Sequence, residues 1–217
     1  KHYYFFFSTG QFTIYCHSKD IDSKEVLSAA KTKWNFLDFH PGLVGGHCIG
    51  VDPYYLLSSG EKSNLDLKLI RTARLVNEHV LKYVADKISD FNRNMLISKP
   101  NIVLFGATFK PNCADIRNSK ILEIDKLIKI HNRTIKVYDP FISPDDLQSP
   151  YELMHNISKM RISEADCIIL AVNHDVFHPS VYEYILDTIN PNTLLIIINR
   201  MQHTVQLEKR TNTWCYS

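Results

Sequence analysis

The sequence predicts an α/β protein in which a helical segment precedes a Rossmann-like parallel sheet. Two observations support this class. Apolar residues recur at spacings of three and four over residues 64–92, and beyond residue 101 short continuous apolar runs alternate with helical patterns. Continuous apolar runs are typical of strands that are buried on both faces, as in a parallel sheet covered by helices.

A change of period near residue 95 divides the chain. Pro100 interrupts the long helical pattern, so we expect a central helical domain over residues 21–94 and a sheet domain over residues 95–217. Residues 1–20 mix aromatic and polar side chains without a clear period, and no element is predicted for them.

The central domain opens with a helix-start pattern. Asp22 is followed three residues later by Glu25, which is typical of a capped helix N-terminus and predicts a short helix. A glycine-rich loop over residues 41–50 comes next, followed by an amphipathic helix over residues 64–92. Its apolar face consists of Leu69, Ala73, Val76, Val80, Val84, Ile88 and Phe91. Arg74 and Asn77 are interpreted as residues of its polar face.

The sheet domain is predicted from alternating elements. Strands are expected at residues 102–107, 134–138, 167–172 and 194–198, and helices at 119–130 and 180–189. Ligands of such sheets bind at the carboxyl ends of the strands. The segments after Ala107, Tyr138 and Val172 are therefore the candidate ligand-binding segments.

Composition excludes several classes of protein. The 25 basic and 23 acidic residues are interspersed, without the basic stripe that binds nucleic acid. The longest apolar runs are far shorter than the roughly 20 residues that cross a bilayer, so no membrane span is expected. Five cysteines without a C-x-x-C pair argue against a disulfide framework and a zinc ribbon, and favour a reducing cytoplasm.

Glycine is scarce and concentrated. No three of the seven glycines form G-x-G-x-x-G or a P-loop, so neither standard phosphate-binding loop is complete in this sequence. Three glycines, Gly42, Gly45 and Gly46, precede a cysteine in the loop over residues 41–50. Glycine there lets the backbone approach a ligand closely.

Cys48 and Asp52 form the strongest candidate catalytic pair. If the chain after Cys48 is helical, Asp52 lies one turn away, and a thiol beside a carboxylate is a candidate nucleophile with a base. The alternative for Cys48 alone is a small buried hydrophobic residue, which is the commoner role of free cysteine. His40, His47 and Cys48 could also be metal ligands, but no second ligand pair with zinc-like spacing follows, so no metal is predicted.

Two longer motifs resemble a known family. Residues 41–56 read Pro-Gly-x-x-Gly-Gly-His-Cys-Ile-x-x-Asp-Pro-x-Tyr-Leu, and Thr-Lys-Trp-Asn-Phe precedes them at residues 32–36. Residues 105–119 read Phe-Gly-Ala-Thr-Phe-Lys-Pro-Asn-Cys-Ala-Asp-Ile-Arg-Asn-Ser. Both motifs, in this order with a long helix between them, are similar to the UDP-glucose/GDP-mannose dehydrogenase family, and most similar to its bacterial UDP-N-acetylhexosamine 6-dehydrogenases.

The resemblance implies oxidation of the C6 alcohol of a UDP-sugar to the acid, in the cytoplasm and with NAD as cofactor. Cys48 would be the nucleophile that adds to the intermediate aldehyde and carries the later thioester, which divides one difficult step into two. Asp52 would help to manage the water that hydrolyses the thioester.

The resemblance also assigns binding residues. Those expected to contact the UDP-sugar are Gly45, Phe109, Lys110, Lys33 and Arg200. Arg117 is expected to reach the NAD. For Lys110 and Arg117 the alternative is an exposed surface charge. The helix over residues 64–92 would form a homodimer interface.

The family's first domain, an NAD-binding unit that opens with G-x-G-x-x-G, has no counterpart in this sequence. We therefore expect the central and C-terminal portions of a UDP-sugar 6-dehydrogenase of polysaccharide biosynthesis. The alternative is a non-catalytic remnant that binds nucleotide sugars or dimerises.

Overall fold

A computed structural model describes residues 2–128, 134–200, 204–210 and 212–216, with backbone only at residues 2–7 and 159–160. Its helices are α1 (His2–His17), α2 (Ser23–Lys31), α3 (Asp52–Lys62), α4 (Lys68–Asn94), α5 (Ile124–Leu127), α6 (Ser180–Thr188) and α7 (Val205–Glu208). Its strands are β1 (Ile102–Phe105), β2 (Ile135–Tyr138), β3 (Tyr151–Leu153), β4 (Cys167–Leu170), β5 (Leu194–Ile197) and β6 (Thr213–Cys215).

The six strands form one parallel sheet in the order β3-β2-β1-β4-β5-β6. The predicted α/β class with a parallel, Rossmann-like sheet is confirmed. The chain passes outward from β1 to β3 on one side and from β4 to β6 on the other. The crevice at the carboxyl ends of β1 and β4, which pair at Phe105 and Leu170, is thus the place where such a sheet binds a ligand.

The central strands follow directly from the sequence. All residues of β1, β4 and β5 are buried, as their continuous apolar runs predict. The short edge strands β3 and β6 were not predicted, because their half-buried residues carry no such run.

Several elements end earlier than predicted, by one or two residues at β4, β5 and α6. The strand expected over residues 102–107 ends at Phe105, because Gly106 turns the chain with a φ of +78°. The helix expected over residues 119–130 consists of a 3₁₀ turn, Lys120–Glu123, followed by α5. The end of that predicted helix, residues 129–130, lies outside the described residues.

Helices α1 and α3 are additions to the sequence prediction. Helix α1 occupies most of residues 1–20, for which no element was predicted, and packs along α4, where Thr13 and Cys16 are buried. Its aromatic and polar residues do not alternate with a helical period, so the sequence gave no signal. Helix α3 begins at Asp52, as the catalytic interpretation of Cys48 requires.

The long helix α4 belongs to the same hydrophobic core as the sheet. Val80, Val84 and Ile88 form one buried cluster with strand residues that include Ile102 and Ile169. Residues on both sides of the expected boundary at residue 95 thus share one core. The predicted apolar face is buried from Ala73 to Ile88, whereas Phe91 is partly buried and Leu69 near the helix start is exposed.

None of the helices in the described ranges combines the length and the apolar character that a bilayer-crossing segment needs.

We predict that Ile88→Ala lowers the free energy of unfolding by about 2–5 kcal/mol, because it opens a cavity between α4 and the sheet. Leu69→Ala, on the same helix but at a side chain that is 71% exposed, is the control and changes stability by less than about 0.5 kcal/mol. Urea denaturation measures both. Equal effects of the two substitutions would contradict the packing of α4 on the sheet.

Candidate functional site

The two sequence motifs meet in the structure. The Cys48 loop, residues 41–50, lies against the 106–119 segment, which follows β1. The backbone N–H of Gly46 donates to the carbonyl of Asn118 at 3.2 Å, and the Phe109 ring covers Gly46. The loop before helix α3 and the carboxyl edge of the sheet therefore form one site.

Glycine is a steric requirement at this contact. A Cβ on Gly45 would lie 2.4 Å from the carbonyl oxygen of Asn118, a distance that no side chain tolerates. Gly46 has a φ of +86°, in the left-handed region, and a Cβ there would lie 2.8 Å from the Phe109 ring. The glycine-rich sequence thus serves backbone-to-backbone packing of the Cys48 loop.

A cleft opens beside this contact, at the carboxyl ends of β1, β4 and β5. Its lining includes Leu43, Thr108, Phe109, Lys110, Lys120 and Asn199. Phe109 and Lys110 were predicted as substrate-binding residues. Lys120 and Asn199 were not predicted, because neither lies at a position that the recognised motifs single out.

Cys48 and Asp52 are brought within one turn of each other. The backbone N–H groups of Val51 and Asp52 both donate to the carbonyl of Cys48, at 3.0 and 2.8 Å. Asp52 then begins α3, with Pro53 in its first turn, where proline suits the helix geometry. Both Cys48 and Asp52 are exposed, so an external ligand has access to the thiol and to the carboxylate.

A buried Asp–His pair supports the segment that carries Phe109 and Lys110. The Asp139 carboxylate, after β2, accepts from the N–H of Ala107 at 2.7 Å and from Nε2 of His174, after β4, at 3.0 Å. Nδ1 of His174 accepts from the N–H of Asn112 at 2.9 Å, which assigns the ring proton to Nε2. Three segments at the carboxyl edge are thereby tied together.

The charge of Asp139 suits this role. Burial alone would raise its pKa, but the hydrogen bonds from His174, Ala107 and Phe141 outweigh burial and hold the pKa below its ordinary value. The carboxylate is therefore ionised and accepts hydrogen bonds at neutral pH. Sequence reasoning identified the two segments, after Tyr138 and Val172, but neither residue.

Arg117, the predicted NAD contact, is held by its own segment. Its guanidinium donates to both carboxylate oxygens of Asp115, and its backbone N–H donates to Asp115 at 2.9 Å. The side-chain hydrogen bond from Arg117 lowers the pKa of Asp115 to about 2. Asp115 also lies 3.8 Å from Nδ1 of His47, beside Cys48. An Arg117 that contacts NAD would first leave Asp115.

Of the other predicted substrate contacts, Arg200 and Lys33 lie outside the cleft lining, as does Gly45 in the Cys48 loop. Arg200 follows Asn199, but its guanidinium, 12% exposed, pairs with Asp22 at the N-cap of α2. Lys33 is exposed beyond the end of α2. Whether either contacts a nucleotide sugar stays a prediction.

Two residues of α4 correct the sequence interpretation. Asn77 and Arg74 were assigned to a polar, solvent-facing side of the helix. Asn77 is instead buried and bonds to the backbone of Val44 in the Cys48 loop. Arg74 stacks over the ring of Tyr54 from α3 and is largely covered. The approach of α3 and the Cys48 loop buries this side of α4, which a helical period alone does not reveal.

Within the ranges that the structure describes, no three His, Cys, Asp or Glu side chains cluster as a metal site would require. The cysteines at positions 16, 48, 113, 167 and 215 are all free.

Fold and site together define an α/β protein with a parallel, Rossmann-like sheet and a cysteine loop at the carboxyl edge of that sheet. The comparisons with known proteins agree. Residues 8–79 match the central domain, and residues 103–202 the UDP binding domain, of the UDP-glucose/GDP-mannose dehydrogenase family. The chain belongs to this family.

Curated relatives carry related names. A UDP-N-acetyl-D-glucosamine 6-dehydrogenase of Salmonella typhi is 36% identical over 160 residues, which are 73% of this chain and 37% of that protein. The protein of the same name in Pseudomonas aeruginosa is 38% identical over 159 residues, 72% of this chain and 37% of that protein. The matched region thus spans little more than a third of these relatives.

Solved structures show the same fold. A UDP-D-ManNAc dehydrogenase from Pyrococcus horikoshii superposes with a TM-score of 0.76 at 25% identity, over 91% of this chain and 45% of that one. The UDP-N-acetyl-mannosamine dehydrogenase Cap5O from Staphylococcus aureus superposes with a TM-score of 0.73 at 21% identity, over 99% and 48%.

We predict that Gly45→Ala lowers the free energy of unfolding by about 1–3 kcal/mol, because its Cβ meets the backbone of Asn118. Gly42→Ala is the matched control. Its Cβ meets only the side chain of Asn199, at 3.1 Å, which can rotate, and the expected loss is below about 1 kcal/mol. Urea denaturation measures both, and a Gly45→Ala variant as stable as the wild type would contradict the close contact.

We predict that the Asp22–Arg200 pair makes stability depend on acid pH. The hydrogen bond that the Arg200 side chain donates to the Asp22 carboxylate lowers the pKa of Asp22 to about 2, below the unfolded value of about 3.9. The stabilisation is therefore present above pH 4 and is lost as the pH falls toward 2.

Asp22→Asn should lower the urea midpoint at pH 7 and approach the wild type near pH 2. Asp187→Asn, at an exposed position, serves as the control. A constant difference between Asp22→Asn and wild type across this range would contradict the role of the pair.

Proposed function

We propose that this chain provides the nucleophile and the UDP-sugar-binding part of an NAD-dependent UDP-N-acetylhexosamine 6-dehydrogenase of polysaccharide biosynthesis. The observation that carries the proposal is the contact of the Cys48 loop with the segment that carries Phe109 and Lys110. In this proposal the exposed Cys48 thiol and the cleft-lining Lys110 contact the same ligand. This is the arrangement expected for a nucleotide sugar whose charged pyrophosphate lies away from its reacting carbon.

Each residue has a defined task in this proposal. The Cys48 thiolate adds to C6 of the sugar aldehyde, and the former carbonyl oxygen takes up a proton. Once a hydride acceptor, which NAD would supply, has oxidised this adduct to the thioester, water would release the acid and free the thiol. Asp52 accepts a proton from that water. Lys110 offers a positive charge to the anionic oxygens of UDP, Phe109 covers Gly46, and Gly45 lets the loop backbone approach the ligand. Lys33 and Arg200 remain proposed as further UDP-sugar contacts, and Arg117 as the contact to NAD.

NAD would supply the hydride acceptor, but the residues described here do not form a site for it. The turn after β1 is filled by its own chain, since a Cβ on Gly106 would lie 2.2 Å from the carbonyl of Val172. The sequence has no G-x-G-x-x-G, and Arg117 is bound to Asp115. No step of the proposed chemistry is therefore derived through NAD from these residues.

The second candidate function is binding of a nucleotide sugar without oxidation. It is favoured by the ion pair with Asp115 that holds Arg117. In both cases we propose a homodimer. Exposed apolar side chains on α3, on the first turns of α4 and in the segment between the two helices provide its surface, namely Tyr55, Leu56, Leu65, Leu69 and Leu75. A reducing cytoplasm suits a thiol nucleophile and completes the proposal.

We predict that Cys48 is alkylated by iodoacetamide faster than the other four cysteines, and that UDP-N-acetylglucosamine protects it. Cys48 is exposed, whereas burial raises the pKa of Cys16 and Cys167, and raises that of Cys215 to about 12. Peptide mass spectrometry gives the five rates. Equal labelling of Cys48 and the half-buried Cys113, or labelling of Cys48 that the UDP-sugar does not slow, would contradict the assignment.

Incubation of the chain with NAD⁺ and UDP-N-acetylglucosamine separates the two candidate functions. NADH formation, followed by absorbance and abolished by Cys48→Ser, would show that this chain itself carries out the oxidation. Protection of Cys48 by the UDP-sugar without NADH formation would favour the binding function.

A further inference from the structure

Asn77 is the polar residue of α4 that contacts the Cys48 loop. Its side chain is 6% exposed and lies one residue from Val76 on a largely apolar part of the helix. Burying a carboxamide is costly unless its donors and acceptors are bonded. At this position the bonds are made to the loop backbone and not to the sheet.

The carboxamide forms two hydrogen bonds to one residue. Oδ1 of Asn77 accepts from the N–H of Val44 at 3.2 Å, and Nδ2 donates to the carbonyl of Val44 at 2.8 Å. A neighbouring β-strand would likewise form hydrogen bonds with both the backbone N–H and the backbone C=O of one residue. The described loop has no strand beside it, so Asn77 takes that place.

The second anchor of the loop follows two residues later. The N–H of Gly46 donates to the carbonyl of Asn118 at 3.2 Å, and a Cβ on the intervening Gly45 would already clash with that carbonyl. The loop is thus held by α4 at Val44 and by the sheet domain at Gly46. Cys48 follows this second anchor by two residues, and its own carbonyl caps the start of α3.

We propose that Asn77 is a positioning residue that fixes the Cys48 loop against the 106–119 segment and so sets where the thiol lies. The role in catalysis rests on the function proposed above. The effect on the loop does not, because it follows from the two hydrogen bonds to Val44.

The test compares two buried asparagines of the same helix. Asn77→Leu removes both bonds to Val44 with a side chain of similar size that suits its apolar neighbours. Asn92→Leu is the matched control, since Asn92 is 7% exposed and its Oδ1 has no hydrogen-bond partner in the part of the chain that the structure describes. Amide hydrogen exchange at Val80 and Val84 reports whether α4 stays folded in each variant.

In Asn77→Leu we expect amide exchange at Val44 and Gly46 to rise about tenfold or more, while Val80 and Val84 keep their protection. Protection of Cys48 from iodoacetamide by UDP-N-acetylglucosamine should fall at least about threefold relative to wild type. Asn92→Leu should leave both measurements at the wild-type values. Should Asn77→Leu fail to fold, Asn77→Ala removes both hydrogen bonds to Val44 with a smaller side chain and should show the same changes.

Unchanged exchange at Val44 in the folded Asn77 variants, or an equal change in Asn92→Leu, would overturn the proposal. So would a loosened loop in which Cys48 is protected as well as in the wild type. Absence of protection in the wild type itself would contradict the proposed function, and the exchange rates at Val44 and Gly46 would then decide the role of Asn77 alone.

Discussion

The approach of the Cys48 loop to the carbonyl of Asn118 is the constraint on which the site depends. Gly45 has no room for a Cβ, and Gly46 combines a positive φ with the ring of Phe109 above it. Any side chain at Gly45 would force the loop away from the 106–119 segment. The exposed thiol would then lie farther from the segment that carries Phe109 and Lys110.

The carboxyl edge of the sheet is held by a second, buried interaction. Asp139 accepts hydrogen bonds from the turn after β1 and from His174. His174 in turn accepts a hydrogen bond from the backbone N–H of Asn112. A fully buried ionised group is tolerated because its oxygens are so well bonded. The position of Phe109 and Lys110 thus depends on charge and hydrogen bonding as much as on apolar packing.

Sequence reasoning was sufficient for features that repeat or that carry a rare pattern. Continuous apolar runs predicted β1, β4 and β5, because strands buried on both faces carry apolar residues at every position. Apolar residues at spacings of three and four predicted α4, because only one face of that helix is buried. The glycines before Cys48 marked the loop. Edge strands β3 and β6 were missed because partial burial leaves no such pattern.

The contacts made by single polar residues could not be predicted in the same way. Nothing in the sequence distinguishes Asn77 and His174 from other polar residues. Their hydrogen bonds form only when segments far apart in the chain come together in the fold. The ion pair of Arg117 with Asp115 could not be predicted either, since it depends on the conformation of the turn that joins the two residues. Helix α1 was missed because its packing against α4 compensates for the lack of a clear apolar face.

The shared core of α4 and the sheet gives this helix a mechanical role. Asn77 and Ile88 are eleven positions apart on one continuous helix, which corresponds to a rigid rod about 16 Å long. Ile88 packs in the core against the sheet, and Asn77 forms hydrogen bonds with Val44 in the Cys48 loop. A single continuous element therefore connects the core of the sheet to the backbone of the Cys48 loop at Val44.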